Sequence, residues 1–335
     1  MGLGRMGATH LEALSGVDEI EVAAVADVSP AALQANADAA GDARRYTSID
    51  ALLADDPVEA WLIATSTPTH PGLTRRALEA GIHVLCEKPL ALDPDEGDAL
   101  GEQAARAGLV LQVGFWRRFS PPWVEARRLI RAGAIGRPLL LRLAQWDADP
   151  PPASFCDPAV SGGLAVDCGV HEFDLAEWLT GLPVESVLGY HLPLVDGSLA
   201  DVGDVDNLLA VLRLAGGAAA TVDLSRNCRY GDDVRTEILG SEGAVFVDLL
   251  PVGRARIATA AGVRHSGLAA ADATAAGLVG QARAFAAAVR GELVEVPTAA
   301  ASTRAVRIGA AVTRSAREGV EVVVPPPSPT GGARP

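Results

Sequence analysis

Lysine is almost absent from this sequence. Of its 335 residues, 28 are Lys or Arg, and Lys88 is the only lysine. A GC-rich coding sequence favours arginine codons, which covers every basic residue except this one. Arginine stays protonated at physiological pH, whereas an ammonium is a compact charge that can lose its proton when desolvated. Lys88 is therefore the first candidate for chemistry. It stands in Leu85-Cys86-Glu87-Lys88-Pro89-Leu90, where a strand-like run meets a proline; a solvated surface lysine is the ordinary alternative at such a place. Paired cysteines are missing as well. Cys86, Cys156, Cys168 and Cys228 are widely spaced with no C-x-x-C, which argues against a zinc knuckle or a disulfide framework and fits reduced thiols. No charged-then-apolar leader opens the sequence, and no apolar run reaches the ~18 residues of a membrane span. The expectation is a cytoplasmic protein. Positive charge is scarce too: a net charge of -14 leaves no basic surface for a nucleic-acid backbone or an anionic membrane. A small molecule is the expected ligand, and 49% hydrophobic content over this length allows two domains with their own cores.

Gly2-Leu3-Gly4-Arg5-Met6-Gly7 spells G-x-G-x-x-G, with a helical pattern behind it through Ala8, Leu11 and Leu14. In a dinucleotide fold such glycines permit a tight turn and bring backbone close to a pyrophosphate, which rests on the helix N-terminal amides. The strand that should precede the motif is absent, because Met1 is the first residue; the expectation is a misplaced start that removed about 5 to 8 residues. The next strand, Glu21 to Ala26, ends at Asp27, close to the ~20-residue interval at which an acidic residue accepts hydrogen bonds from the adenosine ribose. A carboxylate there repels a 2′-phosphate, and Val28-Ser29-Pro30 has no arginine to bind one, so NAD is favoured over NADP. Asp27 can equally serve as a turn or N-cap residue before Pro30.

Strand and helix then alternate up to Leu109–Val113, which means a doubly wound parallel sheet with its ligand beyond the strand C-termini. Thr65 to His70, Glu87 to Pro89 and Gly114 to Arg118 should line one crevice. Each is ambiguous alone: a histidine such as His70 at a helix start is more often a helix-end or packing residue than a ligand contact, and Trp116 also reads as interdomain core. After Ser120 the pattern changes. A helix from Trp123 to Arg131 leads to a strand, Pro138 to Trp146, and a Pro-rich loop from Asp149 to Pro158. Gly162-Gly163 then precedes a helical run in which Asp167 and His171 stand at i and i+4, sharing a face. Histidine suits general-base work near neutrality, and a carboxylate can orient it; a helix-surface ion pair is the alternative. A metal site lacks a third ligand. From Val184 onward five strands read as antiparallel, with hairpins at Gly216-Gly217 and Gly240 to Gly243. Two Ala-rich helices, a strand at Val320 to Val324 and a Pro/Gly tail expected to be disordered complete the chain. The expected domains are 1–118, 119–324 and the tail 325–335.

These segments together resemble the Gfo/Idh/MocA oxidoreductase family and, within it, the inositol 2-dehydrogenases. The resemblance is carried by Gly2 to His10, Ala26-Asp27, Glu87-Lys88-Pro89, Gly114-Phe115-Trp116-Arg117-Arg118-Phe119, and Gly162-Gly163 through Asp167-x-x-x-His171-x-x-Asp174. It implies an N-terminal Rossmann domain and a C-terminal α+β domain whose large, mainly antiparallel open sheet forms homodimers or homotetramers. It implies NAD bound by Gly2, Gly4, Arg5, Met6, Gly7 and Asp27 and bordered by Thr65, Pro68, His70, Glu87, Lys88, Trp116 and Arg117. It also implies Lys88, Asp167 and His171 as catalytic and substrate-contacting residues, with Tyr230 as a looser substrate contact. The expected reaction oxidises a secondary hydroxyl of a cyclic polyol or sugar. Alternatives are an NAD-dependent glycosidase on the same fold and a non-catalytic NAD-binding regulator.

Overall fold

Short aliphatic runs, each followed by a helix, build the first part of the chain. A computed structural model describes residues 1–55, 58–148, 150–195, 197–249, 254–259, 261–265 and 273–326. Strands β1 (Ala24–Ala26) and β2 (Arg44–Tyr46) pair in parallel, as do β3 (Ala60–Ile63), β4 (His83–Cys86) and β5 (Leu111–Val113). The place between the two groups is taken by Met1 and Gly2. Gly2 N–H donates to Ala26 O at 2.9 Å, the Met1 ammonium to Leu62 O at 2.6 Å, and Ala64 N–H to Met1 O at 2.8 Å. The order is therefore β2, β1, Met1–Gly2, β3, β4, β5. Burial lowers the pKa of the Met1 ammonium to about 6, against the pull of Asp27.

Ile63, Val84, Cys86 and Val113 are fully buried in this sheet, as strands covered on both faces require. On the side of the glycine motif, Leu3, Leu11, Val25, Leu33 and Ala40 form one apolar cluster. The leucine and valine side chains each contribute about 1.5–3 kcal/mol on burial. By contacts, residues 274–303 belong with 1–119 as one unit, and 120–273 with the chain from Arg304 onward as another. Sequence order alone assigns 274–303 to the second domain. Its own pattern cannot show which core an Ala-rich helix joins. Val113 N–H donates to Pro297 O at 2.9 Å, so the chain after the helix Ala273–Val289 runs along the free edge of β5.

The second unit is built on β6 (Pro138–Trp146), β7 (Val184–Leu192), β8 (Asn207–Leu214), β9 (Ala219–Ser225), β10 (Asp233–Gly240), β11 (Gly243–Asp248), β12 (Arg254–Thr259), β13 (Gly262–His265) and β14 (Val322–Val323). Their order is β13-β12-β11-β10-β6-β9-β8-β7-β14. Every neighbouring pair is antiparallel except β6 and β9, which run parallel, so the sheet is mixed. β8 alternates strictly between buried and outward positions, the mark of a sheet packed on one face. The helices Pro121–Arg131 and Gly169–Thr180 cover that face. Two expectations need correction. The Pro-rich stretch carries two single helical turns, Ala153–Cys156 and Pro158–Ser161, and the helix of Asp167 and His171 is interrupted at Cys168 between Leu164–Asp167 and Gly169–Thr180. Residues 327–335, most of the expected tail, lie outside the described residues. No described helix is long and apolar enough to cross a membrane.

Candidate active site

The glycine motif closes on itself. A Cβ on Gly7 would stand 1.8 Å from Gly2 O, and one on Gly2, at φ 79°, would stand 2.7 Å from Ala64 O, so neither position admits a side chain without movement. Around Gly4 the space is open, and Gly4 caps the helix Arg5–Leu14 without any side-chain bond to its first amides. Arg5 is exposed and Met6 half-buried on that first turn. Asp27 Oδ2 accepts Leu3 N–H at 2.7 Å and Oδ1 accepts Ser29 N–H at 2.8 Å. It ties the glycine loop to the turn after β1, while Ser29 is the N-cap of Pro30–Ala35. An uncapped ten-residue helix, a backbone cradle and a carboxylate just beyond β1 fit a dinucleotide: Gly2 to Gly7 would hold the pyrophosphate and Asp27 the ribose.

The loops after β3, β4 and β5 do meet. Glu87 N–H donates to Ile63 O and Gly114 N–H to Cys86 O, both at 2.8 Å. His70 Nδ1 lies 2.9 Å from Pro89 O and its Nε2 lies 3.0 Å from Thr65 O. Carbonyls only accept, so both contacts are satisfied only by a doubly protonated ring. Burial opposes that charge and pushes His70 below its ordinary pKa. Buried as it is, His70 braces the turn that carries Lys88 and Pro89. Thr65 Oγ1 pairs with Thr69 Oγ1 at 2.7 Å, and Pro68 is exposed in the turn Thr67–Thr69. The Lys88–Pro89 peptide is cis, and Lys88 is half-buried.

Glu87 is buried beneath that turn. Its Oε1 lies 2.6 Å from His10 Nε2, and its Oε2 accepts Lys88 N–H at 3.1 Å. A Cβ on Gly114 would meet the same carboxylate at 2.8 Å. Burial pushes the Glu87 carboxyl up, but the His10 hydrogen bond and charge, the Lys88 charge and the Lys88 amide together hold it below the usual range. Trp116 is half-buried, with the buried Arg117 guanidinium 5.7 Å from its ring centroid.

In the second unit, Asp167 closes the turn that starts after Gly163, and His171 stands in the first turn of the next helix with its N–H donating to Cys168 O at 3.2 Å. His171 is 6% exposed. Asp167 Oδ2 faces Arg226 at 3.5 Å and the Cys168 thiol at 3.8 Å, and that thiol also lies 3.3 Å from Asp147 Oδ2. Tyr230 is 65% exposed, and its hydroxyl donates to Asp233 Oδ2 at 2.9 Å, which raises its pKa to about 12. Among the described residues, no cluster of three or more His, Cys, Asp or Glu could hold a metal ion.

Sequence reasoning left out His10, Asp147, Asp204 and Arg226. Two signals were present. His10 follows Gly7 by one helical turn on the buried face Gly7, His10, Leu11, and Arg226 continues the inward alternation of Ala220, Val222 and Leu224.

Residues 1–115 match a family described as "Oxidoreductase family, NAD-binding Rossmann fold", and residues 123–246 match "GFO/IDH/MocA C-terminal domain". The myo-inositol 2-dehydrogenase of Thermotoga maritima is 37% identical over 248 residues, 74% of each chain. The chain belongs to the Gfo/Idh/MocA oxidoreductase family. Among other Gfo/Idh/MocA relatives, the scyllo-inositol 2-dehydrogenase (NAD(+)) of Bacillus subtilis is 35% identical over 251 residues, 75% of this chain and 73% of that one. Two solved structures are similar over nearly the whole chain. Myo-inositol 2-dehydrogenase from Lactobacillus plantarum has a TM-score of 0.84 at 28% identity, covering 97% of this chain and 98% of its own. Scyllo-inositol dehydrogenase from Lactobacillus casei with bound NAD(H) and scyllo-inositol has 0.83 at 25%, covering 96% and 97%. The glycine cradle described above lies within the part of the chain that matches the NAD-binding Rossmann family.

Proposed function

We propose that this protein is an NAD-dependent dehydrogenase that oxidises a secondary hydroxyl of a cyclic polyol, with an inositol as the first substrate to test. The observation that carries the reading is the turn at Glu87-Lys88-Pro89. The single lysine is held at a strand C-terminus by a buried carboxylate below its amide and by His70 on the following carbonyl. The names of the relatives supply the substrate class.

NAD, which Gly2 to Gly7 and Asp27 would hold, would supply the hydride acceptor for the carbon that bears the hydroxyl. His171 takes the hydroxyl proton, and the Asp167 carboxylate supports the imidazolium that forms. The Lys88 ammonium donates to the substrate oxygen and stabilises its developing negative charge. Glu87, through the Lys88 amide, and His70, through Pro89 O, fix the backbone from which the ammonium extends. Tyr230 contributes to the substrate wall. The outward face of the large sheet presents Leu140, Leu209, Val211 and Leu239, and we assign it to a homodimer or homotetramer interface.

Turnover of inositols and aldoses with NAD and with NADP, followed by NADH absorbance, tests the activity. Lys88→Arg is expected to retain most NAD affinity and lose most turnover; unchanged turnover refutes the role of Lys88. His171→Ala is expected to lower kcat and remove its inflection near neutral pH.

A further inference from the structure

The buried face of β9 ends in a charge. Ala220, Val222 and Leu224 turn inward at every second position, and Arg226, one residue beyond the strand, keeps that phase. Its side chain is 1% exposed. Around the guanidinium lie Asp204 Oδ2 at 3.2 Å, Asp167 Oδ2 at 3.5 Å and the Cys156 thiol. Asp204 is buried as well, and its Oδ1 accepts Leu164 N–H at 2.9 Å. Leu164 opens the helical turn that Asp167 closes. One carboxylate therefore holds the start of that turn, another stands at its end, and a single guanidinium touches both.

With Asp204 buried and Asp167 only partly exposed, the two carboxylates repel each other, and a cation between them offsets the repulsion. A guanidinium suits the position because it is planar, permanently charged and less strongly hydrated than an ammonium. We propose that Arg226 is the positioning residue of the acid–base half, holding the Asp167 carboxylate in the orientation that supports His171, with Asp204 as its strut. The proposal rests on the roles given above to Asp167 and His171.

Arg226→Met alone takes the guanidinium away from the buried Asp204 carboxylate and is expected to fold poorly. The decisive variant is Arg226→Met/Asp204→Asn, which removes one charge of each sign and keeps an acceptor for Leu164 N–H. Its thermal midpoint is expected within a few degrees of wild type, and its Kd for NAD, read by fluorescence titration, within about twofold. Its kcat on myo-inositol is expected to fall about 10- to 100-fold. The primary isotope effect with inositol deuterated at the reacting carbon should rise. Arg226→Lys, which keeps the cation, should recover most of the kcat lost in the double variant. A double variant with wild-type kcat makes Arg226 a residue of the fold alone and overturns the proposal, as does Arg226→Lys no more active than the double variant. Crystal structures of wild type and double variant decide the geometry without any substrate: the Asp167 carboxylate is expected to move, and an unmoved Asp167 refutes the positioning role. Wild-type enzyme inactive on every inositol would instead refute the functional reading, and the crystallographic comparison would still decide this one.

Discussion

His10→Ala should destabilise the first unit far more than an ordinary helix substitution. His10 is 2% exposed and Glu87 6%, and the 2.6 Å contact between them is the shortest route by which the buried carboxylate is neutralised. With the imidazole gone, Glu87 keeps the Lys88 amide and charge, but burial, the largest influence on it, acts with little opposition. Removing one partner of a buried pair costs about 3–5 kcal/mol. For a unit of about 150 residues that corresponds to a thermal midpoint lower by about 6 to 20 °C. The assay is circular dichroism during heating, repeated as a urea titration, with acid unfolding as a third axis. Because the native Glu87 carboxyl would now be driven upward, the variant should also unfold at higher pH than wild type. Replacing both groups by apolar ones, His10→Leu/Glu87→Met, should recover much of the stability, since no buried charge is left. Turnover should stay low, because the Lys88 amide has lost its acceptor. A cost below about 1 kcal/mol for His10→Ala, with acid unfolding unchanged, would show that the pair holds no buried charge and refute the reasoning.

Gly7→Ala places a Cβ 1.8 Å from Gly2 O, so NAD titration should show affinity weakened at least about 100-fold through displacement of the loop; wild-type affinity would refute the cradle. Asp27→Ala strands the amides of Leu3 and Ser29 and should weaken NAD binding by about 1–3 kcal/mol, while discrimination against NADP narrows; calorimetric titration of both nucleotides checks this. The pH dependence of stability follows from two groups with depressed native pKa values. His70 prefers its neutral form against an ordinary value of 6.5, and Glu87 its anion against 4.5. Both contributions are complete above those values and are lost as pH falls through the lower native ones, so melting temperature should drop from about pH 6.5 downward. A flat profile between about pH 7 and about pH 4 would contradict both assignments.

Period and punctuation in the sequence were enough for the parallel sheet, the glycine cradle, Asp27 and the meeting of the three loops around Lys88. These depend on local backbone chemistry: glycine where a Cβ collides, a carboxylate at a strand end, and strands followed by helices, which place their loops on one edge. What the tertiary structure decided involves partners far apart in the chain. His10 meets Glu87 across 77 positions, the carboxylate of Asp204 reaches back 40 residues to Leu164, and β9 returns to lie parallel to β6 after an apparently antiparallel series. The alternation of β9 carried a signal that Arg226 points inward, but no signal of what it meets there. A buried charge is tolerable only where the fold supplies its counterpart, and which residue does so is a matter of packing. For the same reason the unique lysine was visible at once, while the two histidines that hold its turn became legible only in the folded chain.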